Sequence, residues 1–165
     1  MTGQGSAFGS PDTATFTVEI STTSDTSLLA AQTTNNKMSQ VTNILSTNGI
    51  PASDIQTNSL SISPQYNYSD NYPYPITGQI ASTSVNVKIN NIASDGTSVG
   101  KLYDQLSNID GVSITGLVFD IRDKTALKTR ARALAYKQAQ AAAAQFSQFA
   151  GYQLGTPQLI NEESS

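Results

Sequence analysis

Apolar and polar residues alternate from Thr13 to Thr23. Ala14, Phe16, Val18 and Ile20 point one way; Thr13, Thr15, Thr17, Glu19 and Ser21 point the other. Period two with β-branched residues predicts a half-buried strand. The period then lengthens. Ser24 or Asp25 caps a helix reaching to about Asn48, with Leu28, Ala31, Met38, Val41, Ile44 and Leu45 inward. Asn48-Gly49 ends it, and Pro51 forbids its resumption. Asp54 to Tyr66 is a second strand through Ile55, Leu60 and Ile62; Pro64 confines its end to an edge or a bulge. Ile80 to Ile89 alternates again, through Val85, Val87 and Ile89. The two runs read as a hairpin around the connector QYNYSDNYPYPITG.

Ser94 or Asp95 caps a short helix with Val99, Leu102, Tyr103 and Leu106 inward. Asp110-Gly111 turns the chain into a strand from Val112 to Ile121, through Ile114, Leu117, Val118 and Phe119. A long alanine-rich helix runs from an Asp123 cap to Gly151. Leu127, Ala131, Leu134, Ala135, Ala139, Ala142, Phe146 and Phe149 fall on one face at three-to-four spacing. Most of that face is small, so its backbone can lie close to whatever it covers. Leu154 to Asn161 is a candidate last strand. Residues 1–11 read either as a lead-in without structure or as a short edge strand through Ala7 and Phe8.

The predicted class is α+β: a split βαβ (ferredoxin-like) βαββαβ core, then the long helix and a short terminal strand. Right-handed crossovers would put the first two helices on one face. The third either covers apolar sheet or lies beside them. One domain, 1–165, is expected, with 162–165 a frayed tail.

Composition narrows the function. Charged residues are 13% of the chain and net charge is −3, against about 25% charged in ordinary domains. Ser, Thr, Asn and Gln must therefore carry the surface. A mildly acidic chain argues against nucleic-acid binding, which needs cations to displace counterions. With no cysteine and no histidine, disulfides, thiolate chemistry and a serine–histidine pair are excluded. Only oxygen ligands remain for a metal. The Asp70 loop and the Asp120/Asp123 corner lack the dense acids of a calcium loop, so capping and turn formation explain them, and no cofactor is expected. No apolar run approaches the roughly 20 residues that span a bilayer. The composition leans to an extracytoplasmic location, and the start at Met1 reads as one from which an export segment has been removed.

Two surface features stand out. Tyr66, Tyr68, Tyr72 and Tyr74 crowd the hairpin connector, where Pro73 and Pro75 disfavour helix; tyrosine suits a docking or assembly loop, against a floppy hairpin tip. Lys124, Lys128 and Arg132 stack at four-residue intervals and repel one another. The chain's own acids, a neighbouring copy or an anionic ligand would relieve them; otherwise they form a solvated face. Asn67-Tyr68-Ser69 fits a glycosylation acceptor by chance.

Three segments resemble the SIMPL-domain family, a largely uncharacterised group of mostly bacterial exported proteins. One carries Gly49, Ile50, Asp54, Ile55, Gln56, Thr57, Pro64 and Tyr66. Another carries Thr77, Gly78, Ala81 and Ser82. The third is the long helix closing on Gly151, Leu154 and Gly155. The likeness spans about Pro11 to Glu162, although this helix is basic and glutamine-rich where family helices often carry more acids. It implies a non-enzymatic envelope or secreted protein without catalytic residues, some members building ring-like or channel-like homo-oligomers. The expected function is self-assembly into a homo-oligomer. The alternative is a monomeric module binding an anion, a glycan or a protein partner of the envelope.

Overall fold

A computed structural model describes residues 1–69, 72–92 and 96–163. Its chain forms β1 (Thr13–Ser24), α1 (Ser27–Thr47), β2 (Ile55–Thr57), β3 (Ser61–Tyr66), β4 (Ile76–Asn90), α2 (Thr97–Ser107), β5 (Val112–Asp120) and α3 (Thr125–Ala150). It divides into two compact units: Ser10–Arg122, and Met1–Gly9 with Asp123–Ser165.

In the larger unit the strands lie in the order β2-β4-β1-β5, with β3 also paired to β4, and each pairing is antiparallel. The class is therefore α+β with an antiparallel sheet. The expected second strand is two short ones, interrupted at Asn58. That residue still stitches to β4: its N–H donates to the Ser84 carbonyl at 2.8 Å and its side chain to the Ser84 hydroxyl at 2.7 Å. Pro64 sits in β3, away from the central pairing, where a missing N–H costs least.

Helices α1 and α2 cover one sheet face. Phe16, Val18 and Ile20 of β1, Val41 and Leu45 of α1, Val85 and Val87 of β4, and Leu102 and Leu106 of α2 form one buried cluster. Two side chains expected inward are not. Leu28 is 70% exposed; Ala30, Thr34, Val41 and Leu45 define the buried stripe instead. Tyr103 is half-exposed beside buried Leu102 and Leu106, as suits a ring with one polar end. The α1 cap is Thr26, whose hydroxyl accepts from the Leu29 N–H at 3.2 Å, rather than Ser24 or Asp25. The expected α2 cap at Ser94 or Asp95 lies outside the described residues; Gly96 stands next to the helix.

Strand β5 carries a bulge. Val118 pairs with Thr15 and Thr115 with Thr17, so β5 holds one residue more than β1 at that point. Gly116, at φ 66°, supplies the left-handed conformation that such a bulge uses. The extra residue explains the unbroken run Leu117-Val118-Phe119. After the bulge the alternation restarts one position out, and Val118 turns to the same side as Thr15.

Buried Thr34 is satisfied locally. Its oxygen lies 2.7 Å from that of Thr22, which lies 3.1 Å from the Ala30 carbonyl. Thr34 donates to Thr22 or to the Ala81 carbonyl, 3.4 Å away, and Thr22 donates to Ala30. Thr34→Val removes the first donor and leaves a buried acceptor bare, lowering stability by about 1–2 kcal/mol. A double-mutant cycle with Thr22→Val, read by chemical denaturation, should give less than the sum of the single losses. Strict additivity would show that the two hydroxyls act separately.

In the smaller unit, α3 runs as expected to Gly151 (φ 72°) but starts at Thr125, two residues past the expected cap. Asp123 still serves the first turn, accepting from the Thr125 N–H at 2.8 Å. Leu127, Ala131, Ala135, Ala139 and Ala142 are half-buried, while Leu134, Phe146 and Phe149 are exposed, contrary to the expected face. Leu154 to Asn161 forms no strand. Among its described residues this unit contains no other strand to pair with, and Pro157 removes a donor. Residues 1–11 form no edge strand either.

Candidate functional site

The tyrosine connector is the tip of the β3–β4 hairpin. Tyr66 ends β3 opposite Ile76, with a register shift between Gln65 and Tyr66. Beyond it the Asn67 N–H donates to the Pro75 carbonyl at 2.9 Å. The Asn67 side chain accepts from the Ser69 N–H at 3.0 Å, forming a local turn. Asp70, considered as an oxygen ligand, lies outside the described residues, as does Asn71.

The tip gathers all four tyrosines into one chain of rings. Centroids lie 6.2 Å apart for Tyr66–Tyr68, 5.1 Å for Tyr68–Tyr74 and 5.9 Å for Tyr72–Tyr74, the last two edge-to-face. Such pairs add about 0.5–1.5 kcal/mol each beyond the area they bury. The cluster nonetheless stays accessible: Tyr68 is 72% and Tyr72 84% exposed. Exposed Ile76 adjoins it in sequence at the start of β4. The arrangement offers a preformed apolar surface with polar tips.

The basic stripe belongs to the other unit. Arg132 is matched by the chain's own acid: its Nε lies 2.8 and 2.9 Å from the two carboxylate oxygens of Glu162. Glu162, expected in a frayed tail, is thus tied to α3. Lys124 precedes the helix, and its carbonyl accepts from the Lys128 N–H at 2.8 Å. A cation at a helix start opposes the helix dipole, and Asp123 offsets it. Hydrogen bonds from the Thr125 side chain and backbone hold the Asp123 carboxyl below its usual range. Asp120 is engaged by the Ile121 N–H at 2.8 Å. Among the described residues no group of three or more acids is placed to hold a metal ion.

A third feature escaped sequence reasoning. The sheet face away from α1 and α2 carries Thr15, Thr17, Glu19 and Ser21 of β1, Asn86 and Lys88 of β4, and Ser113 and Thr115 of β5. The Thr17 hydroxyl donates to the Asn86 side chain at 3.0 Å, and the Thr115 hydroxyl to Glu19 at 3.3 Å. Here a shallow groove of about 390 Å³ is lined by Thr15, Thr17, Asp54, Gln56, Asn86 and Lys88, among others. Phe16, Val87 and Gly116 complete the lining together with Ser53, so the polar side chains stand around an apolar patch. The polar half of the β1 alternation was the available signal.

Comparison with known proteins speaks to the family of the chain rather than to these surfaces. The solved B. subtilis GlnK, alone and with ATP, is similar at 12% identity over 64% of this chain and 84% of its own, with a TM-score of 0.32. A likeness that small carries no argument. The 26 kDa periplasmic immunogenic proteins of Brucella melitensis and Brucella abortus are each 32% identical over 99% of this chain. The chain spans 66% of their length. The family described as "SIMPL: Protein of unknown function (DUF541)" matches residues 1–165, and the chain therefore belongs to the SIMPL family.

Proposed function

We propose that this chain is a non-enzymatic extracytoplasmic domain that assembles with copies of itself, using the tyrosine tip as a contact. The observation that carries the reading is the tip itself: four rings held within 5.1–6.2 Å of their neighbours, yet accessible. Clustered, stiff tyrosines lose little entropy on binding and are enriched at interface centres. The periplasmic name of the Brucella relatives supports the location. No helix among the described residues is long and apolar enough to cross a membrane. The chain's lack of histidine supports a non-catalytic role.

The same reading takes Ser10–Arg122 as a split βαβ core. In support, β4 lies between β1 and β2, and both helices meet the sheet in one cluster. The family match across 1–165 supports treating both units as one family domain.

Light scattering tests the reading. The unaltered chain should exceed monomer mass. Tyr68→Ser with Tyr72→Ser should weaken association at least about tenfold while leaving the circular dichroism unchanged. A monomer at high concentration would defeat it. The groove beside Lys88 favours a second reading, a monomeric module that binds an anionic glycan of the envelope. That reading requires monomer mass and glycan binding lost in Lys88→Ala.

A further inference from the structure

The α3 stripe has an occupant. Residues 1–9 lie in the same unit as α3, and Gly3, Gly5 and Ala7 are half-buried while Thr2, Gln4, Ser6 and Phe8 are exposed. A side-chain carbon added to Gly3 would strike the Ala135 carbonyl and come within 2.6 Å of the Ala139 nitrogen. One added to Gly5 would strike the Ala131 carbonyl and come within 2.5 Å of the Ala135 nitrogen. Between them the Gln4 N–H donates to the Gln138 side chain.

The two repeats match. Two extended residues advance about 6.6 Å, and four helical residues about 6.0 Å. Each step of two along the arm therefore meets a step of four along the helix, in the opposite direction. Alanine on the helix and glycine on the arm permit backbone to lie on backbone. The seat thus selects a sequence: small residues at alternate positions, with glycine at two of them.

We propose that this seat is an exchange site, and that in the assembled protein it takes residues 2–7 of a second copy of the chain. The inference rests on the self-assembly reading and names a contact for it beyond the tyrosine tip. Nothing in the seat identifies its occupant as the same molecule. The arm is only half-buried and carries no charge. Asp12, just beyond the arm, is fixed separately: its N–H donates to the Asp120 carbonyl at 3.1 Å, and its carboxylate accepts from the Arg122 N–H at 2.7 Å. A neighbour's arm would make the same contacts, so concentration and the Gly9–Pro11 link decide between the two. Such exchange is a low-cost route to oligomers.

The cysteine-free chain permits a direct test. Full-length Gln4→Cys and full-length Gln138→Cys are mixed at assembly concentration and treated with a short thiol-specific crosslinker. Exchange predicts a mixed covalent dimer about tenfold more abundant than either homodimer, falling about tenfold when Gly5→Ala is added to the Gln4→Cys chain. The double variant Gln4→Cys/Gln138→Cys is the control. The crosslinker is one that links this double variant, and if it links only within one chain while the mixture yields no mixed dimer, exchange is overturned. The mass of the unaltered chain separates the two failures: an oligomer without mixed dimers sinks exchange alone, and a monomer sinks self-assembly too.

Discussion

Leu45→Ala should lower the unfolding free energy by about 3 kcal/mol, within the range for deleting a buried leucine. Leu45 is fully buried where β1, β4, α1 and α2 converge. Its backbone carbonyl also accepts the Ile50 N–H at 3.1 Å, closing the exit from α1. Truncation removes contacts from three elements at once, and the pleated sheet beneath cannot collapse to refill the space. Leu28→Ala on the same helix is the internal control: it removes an exposed side chain and should shift stability by less than about 0.5 kcal/mol. Urea denaturation of both variants decides the matter. Equal losses would mean that the buried face of α1 is misassigned.

Gly111→Ala should cost at least about 2 kcal/mol, against about 1 kcal/mol for Gly49→Ala. Both glycines hold positive φ, 73° and 79°, so both substitutions carry the left-handed penalty. They differ in surroundings. Nothing lies within 4 Å of a side-chain carbon built at Gly49, whereas one at Gly111 falls 2.5 Å from the Ser21 carbonyl and 3.0 Å from Lys37 Nζ. That corner is crowded for a reason. The Ser21 N–H donates to the Gly111 carbonyl at 2.9 Å, and Lys37 reaches the Asp110 carboxylate at 3.3 Å. Alanine must push β1 and β5 apart where their pairing begins. Thermal or urea melts of the two variants give the difference, and equal losses would remove the steric part of the argument.

Much of the fold was legible because one side of each element is apolar. The β1 alternation placed Phe16, Val18 and Ile20 in the core. The α1 face was read partly wrong because hydrophobicity was weighed above phase. Leu28 precedes Ala30 by two residues, roughly 200° around the helix, and belongs to the far side; Thr34 was passed over as polar although Thr22 satisfies it. The β5 bulge was overlooked, although Gly116 inside the strand and the broken alternation at Leu117-Val118-Phe119 were its trace. The candidate last strand, Leu154 to Asn161, does not form: Leu154, Leu159 and Ile160 are exposed, and apolar residues without a pairing edge make no strand.

The candidate sites divide the same way. Local crowding of Tyr66, Tyr68, Tyr72 and Tyr74 could be read directly, since the tip is contiguous. The partner of Arg132, thirty positions away at Glu162, could not. The groove beside Lys88 is built from four strands and no contiguous motif. The small face of α3 was recognisable, but its match to Gly3 and Gly5 needed the two segments side by side.

The position of β1 bears on how the chain is made. Its Thr13 pairs with Asn90 on one side and Asp120 on the other, the latter 107 residues away. The β1–β5 seam is thus a late closure, since such distant contacts must be reached before they reward the chain, while β1 can pair with β4 sooner.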